Sequence, residues 1–380
     1  MKCLWRSAML LVALTLTACT SGASSGGGGG SGGGGTTPIP SGIFYVNEGT
    51  ASPNTVGAFS TSQIAGGGQL SPLAGSPIQV TGQDGHSGAP FGIALALGGT
   101  VLYVVNSNQP SITAFIVNSD GTLKTPAINS YALASTASGV CVDPASQFAA
   151  VVVTGNNSVQ PYAINADGSL TAAASTTLNG LSTPIACTYS ADSKYLYVSN
   201  NSGTGGISGF IVGSGGSLLP IAGSPYATGP GNNFQGIVAS TTALFAANQA
   251  GNGLEILAIA ANGALVSPSF FGTAFGPIGL ALSPGGKYLY VAAAAKRAVD
   301  GYAVSGQSLI ALAGTPYSTT ATKTAMVSVN SAGTLLVALD EAPDNAVTLF
   351  AINSNGTLSF APTAEYVFGS GINPMAVVAR

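Results

Sequence analysis

Few side chains in this sequence could take part in acid–base or nucleophilic chemistry. The 380 residues include one histidine, His86, and charged residues make up 6% of the chain. Asp84 lies two residues before His86, and a histidine beside a carboxylate could act as a general base near neutral pH. The sequence offers no nucleophile or orienting group for this pair, and a solvated loop histidine is the alternative interpretation. His86 and Asp84 are therefore weak catalytic candidates.

Other polar side chains that could bind a ligand stand in short segments between apolar runs. Together with His86, the candidate ligand-binding residues are Glu48, Asn106, Asn200, Gln235, Asn248, Lys296, Arg297, Lys323 and Asp340. Neutral amides suit hydrogen bonds to glycans or peptides, although asparagine also makes turns for local reasons. Oxygen atoms between Asp340 and Asn345 could bind Ca²⁺, but their spacing matches no known loop, and we predict no metal site and no cofactor.

These segments recur because the chain is built from repeats. Seven glycine-containing turns are each followed by a leucine, at positions 70, 123, 170, 218, 265, 309 and 358, so the spacing is 44 to 53 residues. Turns of this type connect the strands of tight hairpins. Each repeat contains four short apolar segments and no helical period. The pattern predicts an all-β, seven-bladed β-propeller with four antiparallel strands, a to d, in each blade.

The order of the strands predicts how the ring closes. The repeats begin with a b-type strand at Ile43 and end with an a-type strand between Pro374 and Arg380. We expect this C-terminal strand to pair with the N-terminal strands and so complete the first blade. The candidate ligand-binding residues then fall on the d–a and b–c loops, which share one face of the ring.

Several motifs resemble those of the YVTN and lactonase-like seven-bladed propellers. They include Leu-Tyr-Val at 196–198 and 289–291 and Asp-Gly-Thr-Leu at 120–123. The resemblance covers residues 43–380 and implies lactone hydrolysis of the 6-phosphogluconolactonase type as one activity. Enzymes of this group carry Pro-Arg-His before an innermost strand, where this chain has Pro277-Ile278-Gly279. No catalytic residue is therefore carried over by position.

The N-terminal residues resemble a targeting signal for export. Residues 1–18 combine Lys2 and Arg6 with a short apolar run, which is typical of a signal peptide. Leu16-Thr17-Ala18-Cys19 resembles the bacterial lipoprotein signal box, which implies acylation of Cys19; a plain secretory peptide is the alternative. Residues 19–42 form a Gly/Ser-rich tether. We expect an exported protein that is lipid-anchored to the outer membrane, facing either the periplasm or the surface.

Two cysteines remain in the repeat region, Cys141 and Cys187, on innermost strands of neighbouring blades. They lie one position out of register, and successive strand residues face opposite ways. Export permits a disulfide, but this offset favours two buried free thiols.

The composition also excludes nucleic-acid binding as a function. Nine Lys and Arg residues leave no basic surface for nucleic acid. The sequence favours a lipid-anchored binding scaffold whose loop face contacts a glycan, peptide or protein. The alternative is a propeller-type lactonase in which His86 or a carboxylate activates water.

Overall fold

The structure is a computed structural model that describes residues 42–49, 54–61, 70–80, 91–107, 109–178, 182–202, 206–228, 233–273, 275–319, 323–341, 343–369 and 372–380. In these ranges, strands form seven antiparallel sheets, which are the seven blades of a β-propeller. The predicted fold class is confirmed.

Each blade runs from an innermost strand a to an outermost strand d. Blade 1 contains β1 (Ile43–Asn47), β2 (Asn54–Ser60), β3 (Ile78–Val80) and β30 (Ala376–Ala379). Blade 2 contains β4 (Ile93–Ala96), β5 (Val101–Asn106), β6 (Ser111–Ile116) and β7 (Asn129–Ala132). Blade 3 contains β8 (Gly139–Val142), β9 (Phe148–Val153), β10 (Ser158–Ile164), β11 (Leu170–Ala172) and β12 (Thr176–Thr177). Blade 4 contains β13 (Ser182–Tyr189), β14 (Tyr195–Ser202), β15 (Gly206–Val212) and β16 (Leu218–Pro220).

The remaining blades follow the same plan. Blade 5 contains β17 (Phe234–Ala239), β18 (Ala243–Asn248), β19 (Gly253–Ile259) and β20 (Leu265–Gly272). Blade 6 contains β21 (Pro277–Leu282), β22 (Tyr288–Ala293), β23 (Ala298–Ser305), β24 (Ser308–Ala311) and β25 (Tyr317–Ser318). Blade 7 contains β26 (Thr324–Val329), β27 (Leu335–Asp340), β28 (Ala346–Ile352) and β29 (Leu358–Val367). Short 3₁₀ turns lie at Leu97–Gly99, Thr154–Asn156, Ser214–Gly216 and Pro284–Gly286.

The ring closes as the order of strands predicted. β30 pairs with β1, so that Ala379 lies opposite Phe44 and Ala376 lies opposite Asn47. The last strand of the chain thereby becomes strand a of blade 1, and the two termini of the repeat region share one sheet.

The hydrophobic core lies in the seams between neighbouring blades. In the seam between blades 5 and 6, Phe245 and Leu254 of blade 5 pack against Leu289 and Val291 of blade 6. A strand b is covered on both faces in this way, and every residue of β5 is buried. The outer strands are covered less, as the mostly exposed residues of β20 show.

Close approach of innermost strands explains the glycines near the axis. A Cβ atom on Gly236 would lie 2.5 Å from the carbonyl oxygen of Ile278 in the next blade. A Cβ atom on Gly279 would likewise lie 2.7 Å from the carbonyl oxygen of Ala325. The half-buried Phe91 packs against the seam of blades 1 and 7 and also against that of blades 4 and 5. Its ring therefore occupies the axis.

A tyrosine in strand b ties four blades to the blade that follows. Each hydroxyl donates to the carbonyl oxygen of the glycine in the next blade's c–d turn, at 2.8–2.9 Å: Tyr45 to Gly121, Tyr103 to Gly168, Tyr197 to Gly263 and Tyr290 to Gly356. These glycines have φ between 80° and 89°. The Leu-Tyr-Val and Asp-Gly motifs of the sequence are thus two halves of one inter-blade contact. Blades 3, 5 and 7 carry Ala150, Phe245 and Val337 instead.

The structure corrects the expectation of free thiols, because Cys141 and Cys187 form a disulfide with an S–S distance of 2.06 Å. The two cysteines do lie one position out of register, but this offset favours their pairing. A residue facing forward from blade 3 can meet only a residue facing backward from blade 4. Because neighbouring strand positions face opposite ways, an offset of one brings the two thiols into the same seam.

We predict that Tyr197→Phe lowers the free energy of unfolding by about 1 kcal/mol, because the buried carbonyl of Gly263 loses its donor. The measurement is chemical denaturation monitored by fluorescence. Tyr195→Phe is the matched control, since the Tyr195 hydroxyl bonds the carbonyl of Ala261 at an exposed site. Equal losses in the two variants would contradict a special role for the buried contact.

We also predict that Cys141→Ala/Cys187→Ala lowers the free energy of unfolding by up to about 4 kcal/mol, since the disulfide closes a long loop in the unfolded chain. The two cysteines are 46 residues apart. Denaturation midpoints should fall when reductant is added to the wild type and should not move in the double variant. A wild-type denaturation midpoint that does not change when reductant is added would refute the prediction.

Candidate functional site

The d–a and b–c connections lie at one end of the blades, and we call this end the upper face. Here the last residue of strand b that pairs with strand c, and the third residue of strand c, point to the same side of the blade in blades 2 to 7. In blade 1 the corresponding couple is Glu48, just after β1, and Gly57, the fourth residue of β2, where an added Cβ atom would meet the Glu48 carboxylate. These couples are Glu48 with Gly57, Asn106 with Thr113, Val153 with Gln160, Asn200 with Ser208, Asn248 with Glu255, Ala293 with Asp300, and Asp340 with Thr348. Most blades therefore bury a polar group at the same height. Sequence reasoning missed Glu255 and Asp300, although aligning the c strands would have shown the column.

The predicted asparagines at this level are fully buried and bond within their own part of the ring. The side-chain amide of Asn106 donates to Ser111 and Thr113 and accepts from Asn54. The amide of Asn200 donates to the carbonyls of Val198 and Gly206. The side-chain oxygen of Asn248 accepts from the N–H of Gly251. These bonds hold b–c loops in place, and a ligand-binding role for the three asparagines stays a prediction.

Two predicted carboxylates are also buried at this level. Glu48 is 3% exposed and accepts from the Thr55 hydroxyl at 2.7 Å, and burial raises the pKa of its carboxyl. Asp340 is fully buried and accepts from Thr324 at 2.7 Å and Thr348 at 3.3 Å. Burial raises the pKa of Asp340 to about 7, and the hydroxyl bonds oppose that shift only in part.

Gln235 lies close to the axis, at the start of the innermost strand of blade 5. Its side chain is almost buried, and its amide nitrogen donates to Asn233 at 2.7 Å and to Gln249 at 3.1 Å. Its side-chain oxygen has no hydrogen-bond partner among the described residues. The ring of Phe91 packs beside the adjoining Gly236. The upper end of the axis therefore combines an aromatic ring with a small group of neutral amides.

The predicted basic residues lie on blades 6 and 7. Lys323 pairs with Glu341 at 2.5 Å, and the ammonium of Lys296 lies 3.7 Å from the ring centre of Phe275. Burial raises the pKa of Asp300, and the charge of Lys296 opposes that rise. Arg297 is exposed on the same loop. Both lysines are therefore engaged in local contacts, whereas the side chain of Arg297 is exposed to solvent.

Three predicted residues, Asp84, His86 and Cys19, lie outside the described residues. In the part of the chain that the structure describes, His, Cys, Asp and Glu form no group of three that could hold a metal ion. No helix in that part is long and apolar enough to cross a membrane.

The raised pKa of Asp340 predicts a pH-dependent stability. The folded state binds the proton of the Asp340 carboxyl more tightly than the unfolded chain does. The stability that this proton contributes at low pH therefore declines as pH rises from about 4 to about 7. Asp340→Asn removes this titration and installs the residue that blades 2, 4 and 5 use. When the pH is raised from 5 to 8, we expect the unfolding free energy of the wild type to fall by about 2–3 kcal/mol relative to that of the variant.

The measurement is urea denaturation at both pH values. The control is Asp167→Asn, because hydrogen bonds from Ser169 lower the pKa of this exposed carboxyl and keep its titration below the tested range. A difference between wild type and Asp340→Asn that does not change with pH would contradict the prediction.

Comparison with known proteins supports the fold alone. No protein-family model matches the chain. No curated protein matches it at a significant level. Among solved structures, a protein from Lactobacillus plantarum is 18% identical with a TM-score of 0.73, covering 90% of this chain and 100% of its own. A structure from Bacteroides fragilis described as a "putative 6-phosphogluconolactonase" is 17% identical with a TM-score of 0.70, covering 89% and 98%.

A third similar structure is a periplasmic gluconolactonase from Pseudomonas aeruginosa. It is 15% identical with a TM-score of 0.66, and the match covers 87% of this chain and 99% of the other. The chain is thus a seven-bladed β-propeller with the same fold as these gluconolactonase and 6-phosphogluconolactonase-like structures.

Proposed function

We propose that this protein is a binding scaffold that holds a neutral, hydrogen-bonding ligand, such as a glycan or a peptide, at the upper end of the ring axis. The observation that carries the proposal is the side chain of Gln235. Its two donor positions are occupied by Asn233 and Gln249, while its acceptor oxygen has no hydrogen-bond partner among the described residues. A buried acceptor without a donor is costly, and a ligand hydroxyl or amide N–H would relieve that cost.

The surroundings of Gln235 favour an uncharged ligand. Among the described residues, Gln235 bonds the side-chain amides of Asn233 and Gln249, and the ring of Phe91 packs beside the adjoining Gly236. Lys323 and Lys296 are engaged with Glu341 and Phe275. Aromatic rings and amides together suit sugar rings or peptide groups. A strongly charged ligand would have to be desolvated, and the described side chains that bond Gln235 carry no counter-charge.

The proposed tether is compatible with this use of the upper face. Strand b runs from the lower face to the upper face, so residue 42 enters the ring on the lower face. An acyl group on Cys19 and a flexible Gly/Ser-rich segment of residues 19–42 would hold the protein near a membrane without fixing the orientation of the propeller. The upper face would then be free to meet ligands.

The second candidate function is lactone hydrolysis. It is favoured by the names of two fold neighbours, a periplasmic gluconolactonase and a 6-phosphogluconolactonase-like protein. In this case His86, or a carboxylate near it, would activate water on the upper face. Asp340 is unsuited to that role, since it is fully buried and accepts two hydroxyl donors.

We predict that Gln235→Ala weakens ligand binding about three- to tenfold, the equivalent of one neutral hydrogen bond. The full chain carrying Cys19→Ser would be screened on a glycan array and a peptide array, and hits would be titrated by calorimetry. Gln160→Ala is the control, because Gln160 bonds the carbonyl of Ala173 near the outer side of blade 3. Equal effects of both variants on the hits would refute the proposed site.

Hydrolysis would be followed as proton release at constant pH with 6-phosphogluconolactone and simple lactones. Activity in the wild type that is lost in His86→Ala would establish the second candidate and overturn the first. Ligand binding without lactone hydrolysis would support the scaffold.

A further inference from the structure

The turns between strands c and d contain a recurring pair in which asparagine or aspartate precedes glycine. In four blades the N–H of this glycine closes the turn by donating to the carbonyl oxygen three residues earlier, at 2.8–3.0 Å. Each asparagine or aspartate is exposed, and its side-chain oxygen accepts from the backbone N–H two residues later at 2.9–3.2 Å. The four pairs are Asp120-Gly121, Asp167-Gly168, Asn262-Gly263 and Asn355-Gly356. One backbone geometry therefore holds a carboxylate in two blades and an amide in two others.

An asparagine that precedes glycine can lose its side-chain amide without an enzyme. The backbone nitrogen of the glycine attacks the side-chain carbon Cγ, and a new C–N bond forms. The bond between Cγ and Nδ2 breaks, and the side-chain nitrogen leaves as ammonia with the proton of the glycine N–H. Water then opens the cyclic imide at one of its two carbonyls, which gives either aspartate or isoaspartate. Glycine favours the ring closure because it has no Cβ atom to obstruct it.

The turn of blade 5 restrains its asparagine less than the turn of blade 7 does. In blade 7, the side-chain oxygen of Asn355 accepts from both the N–H and the hydroxyl of Thr357, and the amide of Asn353 donates to that hydroxyl at 2.9 Å. The aspartates of blades 2 and 3 have the same two supports. In blade 5 both supporting positions are alanine. Among the described residues, Asn262 therefore keeps only the N–H of Ala264.

We infer that Asn262 is a site of spontaneous deamidation and that it reacts faster than Asn355. The side-chain carbon must approach the glycine nitrogen, so the side-chain oxygen has to leave the hydrogen bonds that hold it. Asn355 must give up a hydroxyl bond that Asn262 lacks, and the loss of one neutral hydrogen bond corresponds to a rate difference of about fivefold. This site does not depend on the proposed function, because the c–d turns lie at the lower end of the blades.

The two products differ in their effect on the seam between blades 4 and 5. Aspartate fits the turn, because Asp120 and Asp167 occupy the same position in blades 2 and 3 and accept the same backbone bond. Isoaspartate lengthens the main chain by one methylene group immediately before Gly263. The carbonyl of Gly263 accepts from the buried hydroxyl of Tyr197 at 2.8 Å, and this lengthening would displace it. We therefore expect isoaspartate to weaken the seam and aspartate to leave it intact.

The test uses the full chain carrying Cys19→Ser, incubated at pH 8 and analysed by peptide mapping with mass spectrometry. We expect the peptide that contains Asn262 to gain the mass of one deamidation about fivefold faster than the peptide that contains Asn355. Ammonia should be released in step with this gain. In urea denaturation, the protein enriched in isoaspartate should unfold at a lower midpoint, whereas Asn262→Asp should keep the wild-type midpoint.

The double variant Ala260→Asn/Ala264→Thr tests the cause of the difference. It installs in blade 5 the two supports that blade 7 has, and it should slow the reaction of Asn262 to the rate of Asn355. Ala261→Ser is the matched control, since it changes the same turn to the residue that blade 7 has, Ser354, without adding a support. The control should leave the rate of Asn262 unchanged.

The reverse exchange keeps the test decisive if the double variant of blade 5 does not fold. Asn353→Ala/Thr357→Ala removes both supports from blade 7 and should raise the rate of Asn355 to that of Asn262. The inference is overturned if Asn262 does not react faster than Asn355 in the wild type. It is also overturned if the rates are unchanged when the supports are added to blade 5 or removed from blade 7.

Discussion

The contact between one blade and the next is the interaction on which the rest of this structure depends. A single blade is apolar on both faces and cannot be stable alone, so each seam supplies core for two sheets. The tyrosine of one blade and the turn glycine of the next add a directed hydrogen bond to this packing. At Gly263, φ is 80° and a Cβ atom would lie 2.3 Å from the ring of Tyr195. Glycine is therefore required there for two independent reasons.

The seams also decide what the cysteines and the buried polar groups do. Residues that meet in a seam come from opposite faces of their sheets, which is why Cys141 and Cys187 pair despite their offset. The same rule places Glu48, Asp300 and Asp340 against the preceding blade. Their carboxyls become buried even though they stand beside loops, and their pKa values rise. The upper end of the ring thus holds a layer of polar groups with mainly internal partners.

The two ends of the axis consequently offer different chemistry. At the upper end, the ring of Phe91 lies beside a group of neutral amides around Gln235. At the lower end, strand-a residues such as Val142, Leu282 and Val329 line an open depression.

The sequence by itself determined the number of blades, the strands in each blade and the closure through the C-terminal strand, because these follow from local turns and repeated apolar segments. It also pointed to Gln235 and Asp340 as polar residues at one face. Only the tertiary structure decided which of these side chains are buried. Exposure of Asn106 or Asp340 depends on how the preceding blade stacks against its own, and the pattern of repeats along the sequence contains no information on that stacking. The disulfide and the lower depression emerged for the same reason, since both join residues of different blades.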